Sequence, residues 1–256
     1  MAERDQRQHR IREWLAERGK VTVDELAQRL DVTTMTIRRD LTALEGAGVL
    51  TRTHGGCVLR SPYVPELSYS EKEEQHPAQK LAIARAAVAQ LRPGDAVYLD
   101  TGTTAMHAAR LLPTGLNLRI FTNNLRAATE LFPREDVQVV VYGGTLAHKN
   151  PDLTGELALA RIREYRLDVA LIGADAVDVA SGEFYAAEPG TAALSHAAQQ
   201  QAERRLLLAD SSKFGKRGHA LVGRLARGLT LITDHDASAA DLQRLRTTGA
   251  TLIVTK

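Results

Sequence analysis

The sequence predicts an α/β protein that combines an N-terminal winged helix-turn-helix with a mainly parallel, doubly wound α/β domain. Three observations lead to this prediction. Residues 1–60 contain three helical patterns separated by short turns, followed by a small hairpin pattern. Residues 61–79 carry three prolines and several charges without periodicity, which indicates a linker. From residue 80 to 256, short apolar runs alternate with helical patterns, as in a parallel sheet covered on both faces.

The composition is that of a globular chain of 256 residues, of which 44% are hydrophobic and 25% charged. No apolar run reaches the roughly 18 residues of a membrane span. The polar start MAERDQRQHR predicts no secretory signal. The single cysteine, Cys57, excludes an intrachain disulfide and a cysteine cluster for zinc. We therefore expect a cytoplasmic protein with no membrane partner, metal or cofactor.

The charges are unevenly distributed along the chain. Residues 1–60 contain 11 lysines and arginines against 9 acidic residues, whereas residues 61–256 contain 22 of each. The basic excess therefore lies in the first quarter, which favours a polyanionic partner for that part.

Helix signals occur at three places in the first part. The pattern from Arg4 to Arg18 places apolar residues on one face, and Gly19 ends it. Thr22, followed three residues later by Glu25, is a capping box that starts a second helix. A third helix follows over MTIRRDLTALEGAG after a tight turn. Two short helices joined in this way form a helix-turn-helix.

The third helix has two different faces. At about 100° per residue, Ile37, Leu41 and Leu44 form an apolar stripe. The opposite face carries side chains that can reach base edges and phosphates in a DNA major groove. The residues of this helix that are predicted to contact DNA are Thr34, Met35, Thr36, Arg38, Arg39 and Thr42. The alternative is a solvated arginine face on a helical protein-interaction domain.

A wing is predicted directly after this helix. The stretch VLTRTHGGCVL has the pattern of a hairpin that turns at Gly55-Gly56. Arg52 and His54 would then lie against the DNA backbone or in the minor groove.

The string TIRRDLTALEGAGVLTRTHGG closely resembles the DNA-binding part of the DeoR family of bacterial transcription regulators. The family motifs correspond here to Thr36–Leu41, to Leu44 with Gly48, and to Arg52 with His54-Gly55-Gly56. The resemblance implies a winged helix-turn-helix that binds double-stranded operator DNA.

The α/β part is predicted from seven apolar runs that alternate with helices. The runs are 96–99, 118–121, 137–142, 168–173, 205–210, 229–234 and 251–255, and the helices include 104–112, 126–132, 156–164 and 192–202. In such sheets ligands bind beyond the carboxyl ends of the strands.

One of these strand ends has the pattern of a phosphate site. The stretch YLDTGTTAMHAARLL predicts a strand, a turn rich in glycine and threonine, and then a helix. Backbone N–H groups and hydroxyls converge at such a helix N-terminus, where the partial positive charge favours an anion.

The resemblance to the DeoR family continues through this domain and implies a sensor site for a phosphorylated sugar. The loops that match the family pattern lie just after predicted strands and contain Asp100, Thr101, Gly102, Thr103, Thr104, Thr122, Asn123, Asn124, Gly143, Gly144, Asp175 and Lys213. Hydroxyls, N–H groups and a lysine suit phosphate, whereas amides and carboxylates suit sugar hydroxyls.

Each of these positions also has a plainer interpretation. Gly143-Gly144 suits a simple turn, and Asn123 suits a bond within its own loop. Lys213 suits a surface position, and Asp100 suits a helix cap. The combination of four polar loops on one rim favours a ligand site.

The DeoR sensor fold is similar to ribose-5-phosphate isomerase, which allows a test for catalysis. The isomerase pattern K-G-G-x-A-A-L-x-x-E corresponds loosely to EPGTAALSHA, from Glu188 to Ala197. The substrate-binding lysine is replaced by glutamate and the basic glutamate by alanine. Because a general base must be ionisable, alanine cannot serve. We therefore expect a sensor and not an enzyme.

The sequence thus predicts a ligand-responsive repressor of a sugar-catabolic operon. Reading two half-sites requires a homo-oligomer, either a dimer or a tetramer. Residues 61–79 are the expected hinge between the domains. Two alternatives are a phosphosugar isomerase with a fused helical domain and a helix-turn-helix module that contacts protein.

Overall fold

The computed structural model describes residues 3–46, 50–59, 67–147 and 150–256. The chain divides into two compact units, Met1–Pro62 and Tyr63–Lys256. Gly48 of the predicted DNA-binding motif lies outside the described residues, as do residues 61–66 of the predicted linker. Among the helices that are described, none has the length and apolar character needed to cross a membrane.

Three helices and a three-stranded antiparallel sheet form the first unit. In chain order the elements are α1 (Glu3–Arg18), β1 (Lys20–Thr22), α2 (Val23–Leu30), α3 (Thr34–Gly46), β2 (Leu50–Thr53) and β3 (Gly56–Leu59). The sheet order is β1-β3-β2. The predicted helices and hairpin are confirmed, but β1 was not predicted because three residues are too few to show a strand period. The hairpin turns at His54-Gly55, and Gly56 is the first residue of β3.

The apolar stripes predicted for the helices form the core of this unit. Ile11 and Leu15 of α1 and Ile37 and Leu41 of α3 are fully buried in one cluster. Burial of each such side chain contributes about 1.5–3 kcal/mol. Packing of the stripe fixes which face of α3 remains outside.

One buried charge also joins α1 to α3. Asp40 lies among the buried residues of α3 and accepts hydrogen bonds from Arg7 Nε at 2.5 Å and Gln8 Nε2 at 3.2 Å. Because an unpaired buried carboxylate is costly, these partners help to hold α3 in place.

The second unit contains seven helices and two sheets with a short extra hairpin among its described residues. The elements are α4 (Tyr69–Glu74), α5 (Pro77–Val88), β4 (Ala96–Leu99), α6 (Thr103–Arg110), β5 (Leu118–Thr122), α7 (Leu125–Leu131), β6 (Val137–Val141), β7 (Thr145–Leu146), β8 (Leu153–Thr154), α8 (Glu156–Ile162), β9 (Leu167–Gly173), β10 (Ala176–Asp178), β11 (Glu183–Ala186), α9 (Pro189–Gln201), β12 (Ala202–Leu208), β13 (Ala220–Arg224), β14 (Leu229–Thr233), α10 (Ala239–Arg246) and β15 (Thr251–Val254).

The seven predicted strands form one sheet, in the order β15-β14-β12-β9-β4-β5-β6. Every neighbouring pair is parallel. On one side of the sheet the chain proceeds outward from β4 to β5 and β6, and on the other side it proceeds outward from β9 to β12, β14 and β15. The direction in which successive strands are added therefore changes between β4 and β9. The loops after β4 and β9 leave in different directions at such a point and open a crevice.

Both faces of the sheet are buried, which confirms the doubly wound arrangement. In β9, Val169 and Leu171 belong to the core under α5, α6 and α7, whereas Ala170 and Ile172 belong to the core under α8 and α9. Alternate residues of β9 face opposite sides of the sheet, and both sides are covered by helices. Both sets of residues are therefore apolar, which explains the continuous apolar run in the sequence.

The structure differs from the sequence prediction in three places. The part of the predicted linker from Ser68 onward is helical, because Ser68 forms a capping box with Glu71 at α4 and Pro77 begins α5. A helix of six residues is too short to show a periodic pattern. The antiparallel sheet β10-β11-β13 and the hairpin β7-β8 were not predicted, since their strands are short and mix polar with apolar residues.

Candidate functional site

The face of α3 opposite the core is exposed, as predicted. Thr34, Met35, Arg38, Arg39 and Thr42 are exposed, and Met35 keeps 59% of its surface. Neither Arg38 nor Arg39 is hydrogen-bonded or ion-paired with a described residue through its side chain. Unpaired guanidinium groups and an exposed methionine beside them can contact phosphates, guanines and thymine methyl groups.

Threonines fix the start of this helix. The Thr33 hydroxyl accepts a hydrogen bond from the Thr36 N–H at 3.2 Å, and the two hydroxyls lie 3.0 Å apart. Thr36 is therefore only partly exposed and is engaged within its own turn. A capped N-terminus matters here because the first turns of a recognition helix are those that reach base edges.

The wing is attached to the recognition helix. The Arg52 N–H donates to Glu45 Oε1 at 3.0 Å, and Arg52 Nη1 lies 3.4 Å from the Thr42 hydroxyl. His54 is exposed at the tip of the hairpin. The eight residues predicted to contact DNA thus lie on one helix face and one wing of the same unit.

The second unit has a pocket at the ends of β4 and β9, where the direction of strand addition changes. Of the twelve residues predicted to bind an effector, seven line it, and these are Asp100, Thr101, Gly102, Thr103, Thr104, Asp175 and Lys213. They come from the loops after β4, β9 and β12, which meet at this edge because parallel strands end there together.

The loop after β4 forms the N-terminus of α6. Gly102 is the N-cap residue and makes no side-chain bond to the helix, so its first N–H groups are not capped. Thr101, Thr103 and Thr104 surround this terminus. Free N–H groups and hydroxyls at the N-terminus of an eight-residue helix can bind an anion.

Asp100 positions this loop. Its Oδ2 accepts the Gly173 N–H at 2.7 Å, and its Oδ1 accepts the Ser195 hydroxyl at 3.0 Å. Burial raises the pKa of Asp100 above the ordinary value, although these hydrogen bonds act in the opposite direction. The carboxyl group therefore connects the ends of β4 and β9 with α9.

Five predicted effector residues do not line the pocket. Thr122 donates to the Leu99 carbonyl at 2.7 Å, and Asn123 donates to the Leu153 carbonyl at 3.0 Å. Asn124 caps α7 and donates to the Thr101 carbonyl at 3.2 Å. All three are fully buried behind the loop Thr101–Thr104 and support it.

Gly143 and Gly144 are the other two predicted effector residues that do not line the pocket. Gly144 has a φ of 148°, and a Cβ atom there would lie 2.4 Å from the Thr154 carbonyl oxygen. The pair permits the close approach of the β7-β8 hairpin, so its role is that of a turn.

The structure adds two lysines that sequence reasoning missed. Lys72 on α4 and Lys80 on α5 line the pocket together with Lys213. Lys80 is 2% exposed, and its ammonium group donates to the Lys72 carbonyl. Burial and the nearby Lys213 charge lower the pKa of Lys80 to about 8. A signal existed, because Lys80 shares one helical face with Ile83, Ala84 and Ala87, where a lysine is unexpected.

Lys72 is held by a carboxylate of the pocket. Its ammonium group lies 2.8 Å from Asp175 Oδ1, and Asp175 Oδ2 accepts the Ala187 N–H at 2.9 Å. Burial raises the pKa of Asp175, but the Lys72 charge and these hydrogen bonds outweigh it and keep the pKa below its ordinary value. No signal in the sequence around Lys72 indicated this contact.

Lys213 differs from the other two lysines in its partners. It ends a short turn, Ser211–Lys213, that the Asp210 carboxylate caps by accepting the Ser212 N–H at 3.1 Å. Its ammonium group makes no hydrogen bond or ion pair with the described part of the chain. It is therefore available for an anion.

The structure also shows where the two residues compared with the isomerase pattern, Glu188 and Ala197, lie. Glu188 lines the pocket, but its Oε2 accepts the Thr191 N–H at 2.6 Å and the Thr191 hydroxyl at 3.0 Å. Ala197 is buried in α9 and does not line the pocket. The alanine that the sequence pattern sets against the basic glutamate of the isomerase thus lies in the core.

The chain combines a helix-turn-helix unit that has an exposed arginine face with an α/β unit that has a polar pocket. This combination is typical of the class of transcription regulators. The comparison with protein families identifies the group within this class. Residues 7–62 match the DeoR-like helix-turn-helix domain, and residues 75–235 match the DeoR C terminal sensor domain. The chain belongs to the DeoR family.

Several named regulators are similar over nearly the whole chain. The HTH-type transcriptional repressor CsqR of Escherichia coli is 35% identical, with 94% of this chain and 91% of the relative covered. The glycerol-3-phosphate regulon repressor of Escherichia coli is 30% identical, with 94% of both covered. The lactose phosphotransferase system repressor of Lactococcus lactis is 32% identical, with 88% and 89% covered.

Among solved structures, ribose 5-phosphate isomerase A from Methanocaldococcus jannaschii is 21% identical, covers 55% of each chain and has a TM-score of 0.42.

Proposed function

We propose that the protein represses a sugar-catabolic operon and that a phosphorylated sugar bound in the pocket changes its affinity for operator DNA. The observation that carries this proposal is the convergence of an uncapped helix N-terminus with three lysines in one pocket. That arrangement suits a dianionic phosphate, and the neighbouring carboxylates suit hydroxyl groups.

The names of the relatives support the choice of ligand. One represses a glycerol-3-phosphate regulon and another a lactose phosphotransferase system. The first name contains a phosphorylated compound, and the second contains a phosphotransferase system for a sugar. The pocket of this chain contains three lysines that suit a phosphate and four carboxylates that suit sugar hydroxyls.

The DNA side of the proposal rests on α3 and the wing. Arg38 and Arg39 contact base edges or phosphates, Met35 and Thr42 contact neighbouring groups, and Arg52 and His54 contact the backbone from the wing. One such unit covers one half-site, so we propose a dimer or tetramer that reads two half-sites on cytoplasmic DNA. The effector acts by binding one arrangement of the oligomer more tightly than another.

The direct test is a gel shift on the DNA upstream of the protein's own gene and its neighbours, repeated with a panel of sugar phosphates. We expect a shift that one compound abolishes or enhances. Binding that no compound alters would contradict the effector part alone. No binding at low salt would contradict the repressor, because phosphate contacts dominate affinity there.

Substitution of Lys213 by glutamine should weaken the response to the effector at least tenfold. A charge-assisted hydrogen bond contributes about 1.5–3 kcal/mol, and Lys213 has no other described partner to retain it. The measurement is the effector concentration that gives half of the maximal change in the gel shift. The matched control is Lys256→Gln, an exposed lysine outside the pocket, for which we expect no change. An equal response in both variants would remove Lys213 from the site.

Effector affinity should also fall as the pH rises through the pKa of Lys80. Because this pKa is lowered to about 8, the ammonium group is charged at pH 7 and neutral at pH 9. A phosphate ester is already a dianion over this range, since its second pKa is near 6. We therefore expect a loss of roughly tenfold between pH 7 and pH 9, with the midpoint above 8 in the complex because phosphate favours the charged lysine.

Calorimetric titration of the effector at a series of pH values measures this effect. The groups that act on the charge of Lys80 are Lys213, Asp210, Lys72 and Glu73. In Lys80→Arg the charge persists at every pH in this range, so the dependence should disappear. If effector affinity depends on pH in the same way in Lys80→Arg and in the wild type, a group other than Lys80 is responsible for the dependence.

A further inference from the structure

Tyr69 is a pocket residue with an unused hydroxyl group. It is 4% exposed, and its hydroxyl oxygen has no hydrogen-bond partner in the described part of the chain. Burial raises the pKa of this hydroxyl and the Glu73 charge adds to the effect, which together outweigh the opposite influence of the nearby Arg126 and Arg110, so the group remains a donor at neutral pH. A buried hydroxyl without a partner is unfavourable. A ligand in the pocket would remove this cost.

The ring of Tyr69 is fixed on its other sides. The Arg126 guanidinium carbon lies 4.4 Å from the ring centroid, and Arg126 Nη1 lies 3.2 Å from Glu73 Oε2. The ring also belongs to the apolar cluster that includes Ala105 and Met106 of α6. These contacts hold the aromatic ring without using its hydroxyl group.

The helix that carries Tyr69 packs on the helix whose N-terminus forms the phosphate loop. The helix α4 contacts α6, and its Lys72 pairs with Asp175 across the pocket. Tyr69 and the loop Thr101–Thr104 therefore line the same pocket from adjoining elements.

We propose that Tyr69 is a further effector-binding residue that donates its hydroxyl hydrogen bond to the phosphate end of the ligand. This inference rests on the proposed function of the pocket. A phosphate oxygen is an acceptor that fits, because the same pocket holds the N-terminus of α6 and three lysine ammonium groups, whereas its four carboxylates suit hydroxyl groups. A tyrosine here adds a donor without adding charge.

The place of α4 in the chain gives this contact a second role. It is the first described helix of the second unit, which begins at Tyr63. A ligand that binds Tyr69 thus acts on the first described helix of the unit that follows the DNA-binding unit in the chain. A differential contact of this kind is what an effector needs in order to shift an equilibrium between two arrangements.

The test compares Tyr69→Phe with Tyr142→Phe in the full-length protein. Tyr142 is an ideal control, because its hydroxyl is also buried and unpartnered but lies outside the pocket. The probes are inorganic phosphate, glucose 6-phosphate and glucose, and binding is measured by calorimetric titration. Thermal unfolding of both variants checks their folding, and we expect an equal or higher midpoint because each loses an unsatisfied group.

We expect Tyr69→Phe to bind inorganic phosphate and glucose 6-phosphate about tenfold more weakly than the wild type, and Tyr142→Phe to bind them equally well. Unchanged binding in Tyr69→Phe, or equal losses in both variants, would overturn the inference and leave the proposed function standing. A loss confined to glucose 6-phosphate would overturn the assignment to the phosphate end. If the wild type binds neither phosphate compound, the proposed function fails, and the inference fails with it.

Discussion

Substitution of Gly56 by alanine is expected to unfold the wing and to abolish operator binding. A Cβ atom at Gly56 would lie 2.1 Å from the Val21 carbonyl oxygen and 2.6 Å from Thr22 Cα. Both are backbone atoms of β1, so no side chain can move aside to relieve the overlap. We expect a loss of about 3 kcal/mol or more. A unit of this size has little stability in reserve, so such a loss is decisive.

Gly55→Ala is the matched control for this prediction. It introduces the same methyl group one residue earlier, where no atom lies within 4 Å. Thermal unfolding followed by circular dichroism, together with the gel shift, measures both variants. If Gly56→Ala leaves both the thermal unfolding of the first unit and the operator affinity unchanged, β3 does not pack against β1 as described.

Substitution of Arg38 or Arg39 by alanine is expected to weaken operator binding by roughly 1–3 kcal/mol each if the side chain reads a base. Both guanidinium groups are exposed and have no described partner. Their removal should therefore change the free energy of unfolding by less than about 0.5 kcal/mol. A large effect on binding with almost none on stability is the signature of a contact residue.

Binding to the operator and to an unrelated duplex of equal length separates the two roles of an arginine. A base contact loses more on the operator, whereas a phosphate contact loses equally on both and reduces the salt dependence. The control is Arg12→Ala, which removes an exposed arginine from α1 of the same unit. Unchanged operator affinity in both Arg38→Ala and Arg39→Ala would favour the alternative in which this helix contacts protein.

The DNA-binding unit was largely predictable because its signals are local. Capping at Thr22 and Thr33 and the apolar stripe of α3 all act within a few residues of the chain. Once the stripe is buried, the opposite face must be exposed. The strand β1 and the contact of Gly56 with it were not predictable, since they depend on a pairing between distant segments.

The pocket of the second unit was predictable only in part. Loops after parallel strands meet at one edge of the sheet, so the place of Thr101–Thr104, Asp175 and Lys213 followed from the strand pattern. The same rule also selected Asn123 and Asn124, which follow a strand but turn inward to support the loop. Strand order within the sheet decides which loops border the crevice, and the apolar pattern does not contain that order.

The sequence by itself determined the fold class, the seven strands, the exposed face of α3 and the loop Thr101–Thr104, because each depends on periodicity or on adjacent residues. Only the tertiary structure showed that Lys72, Lys80 and Tyr69 enter the pocket. They lie on helices, outside the loops that follow strands, and reach the site because α4 and α5 pack against the sheet. Packing between segments far apart in the chain is decided by the shapes of all partners together, and no local pattern records it.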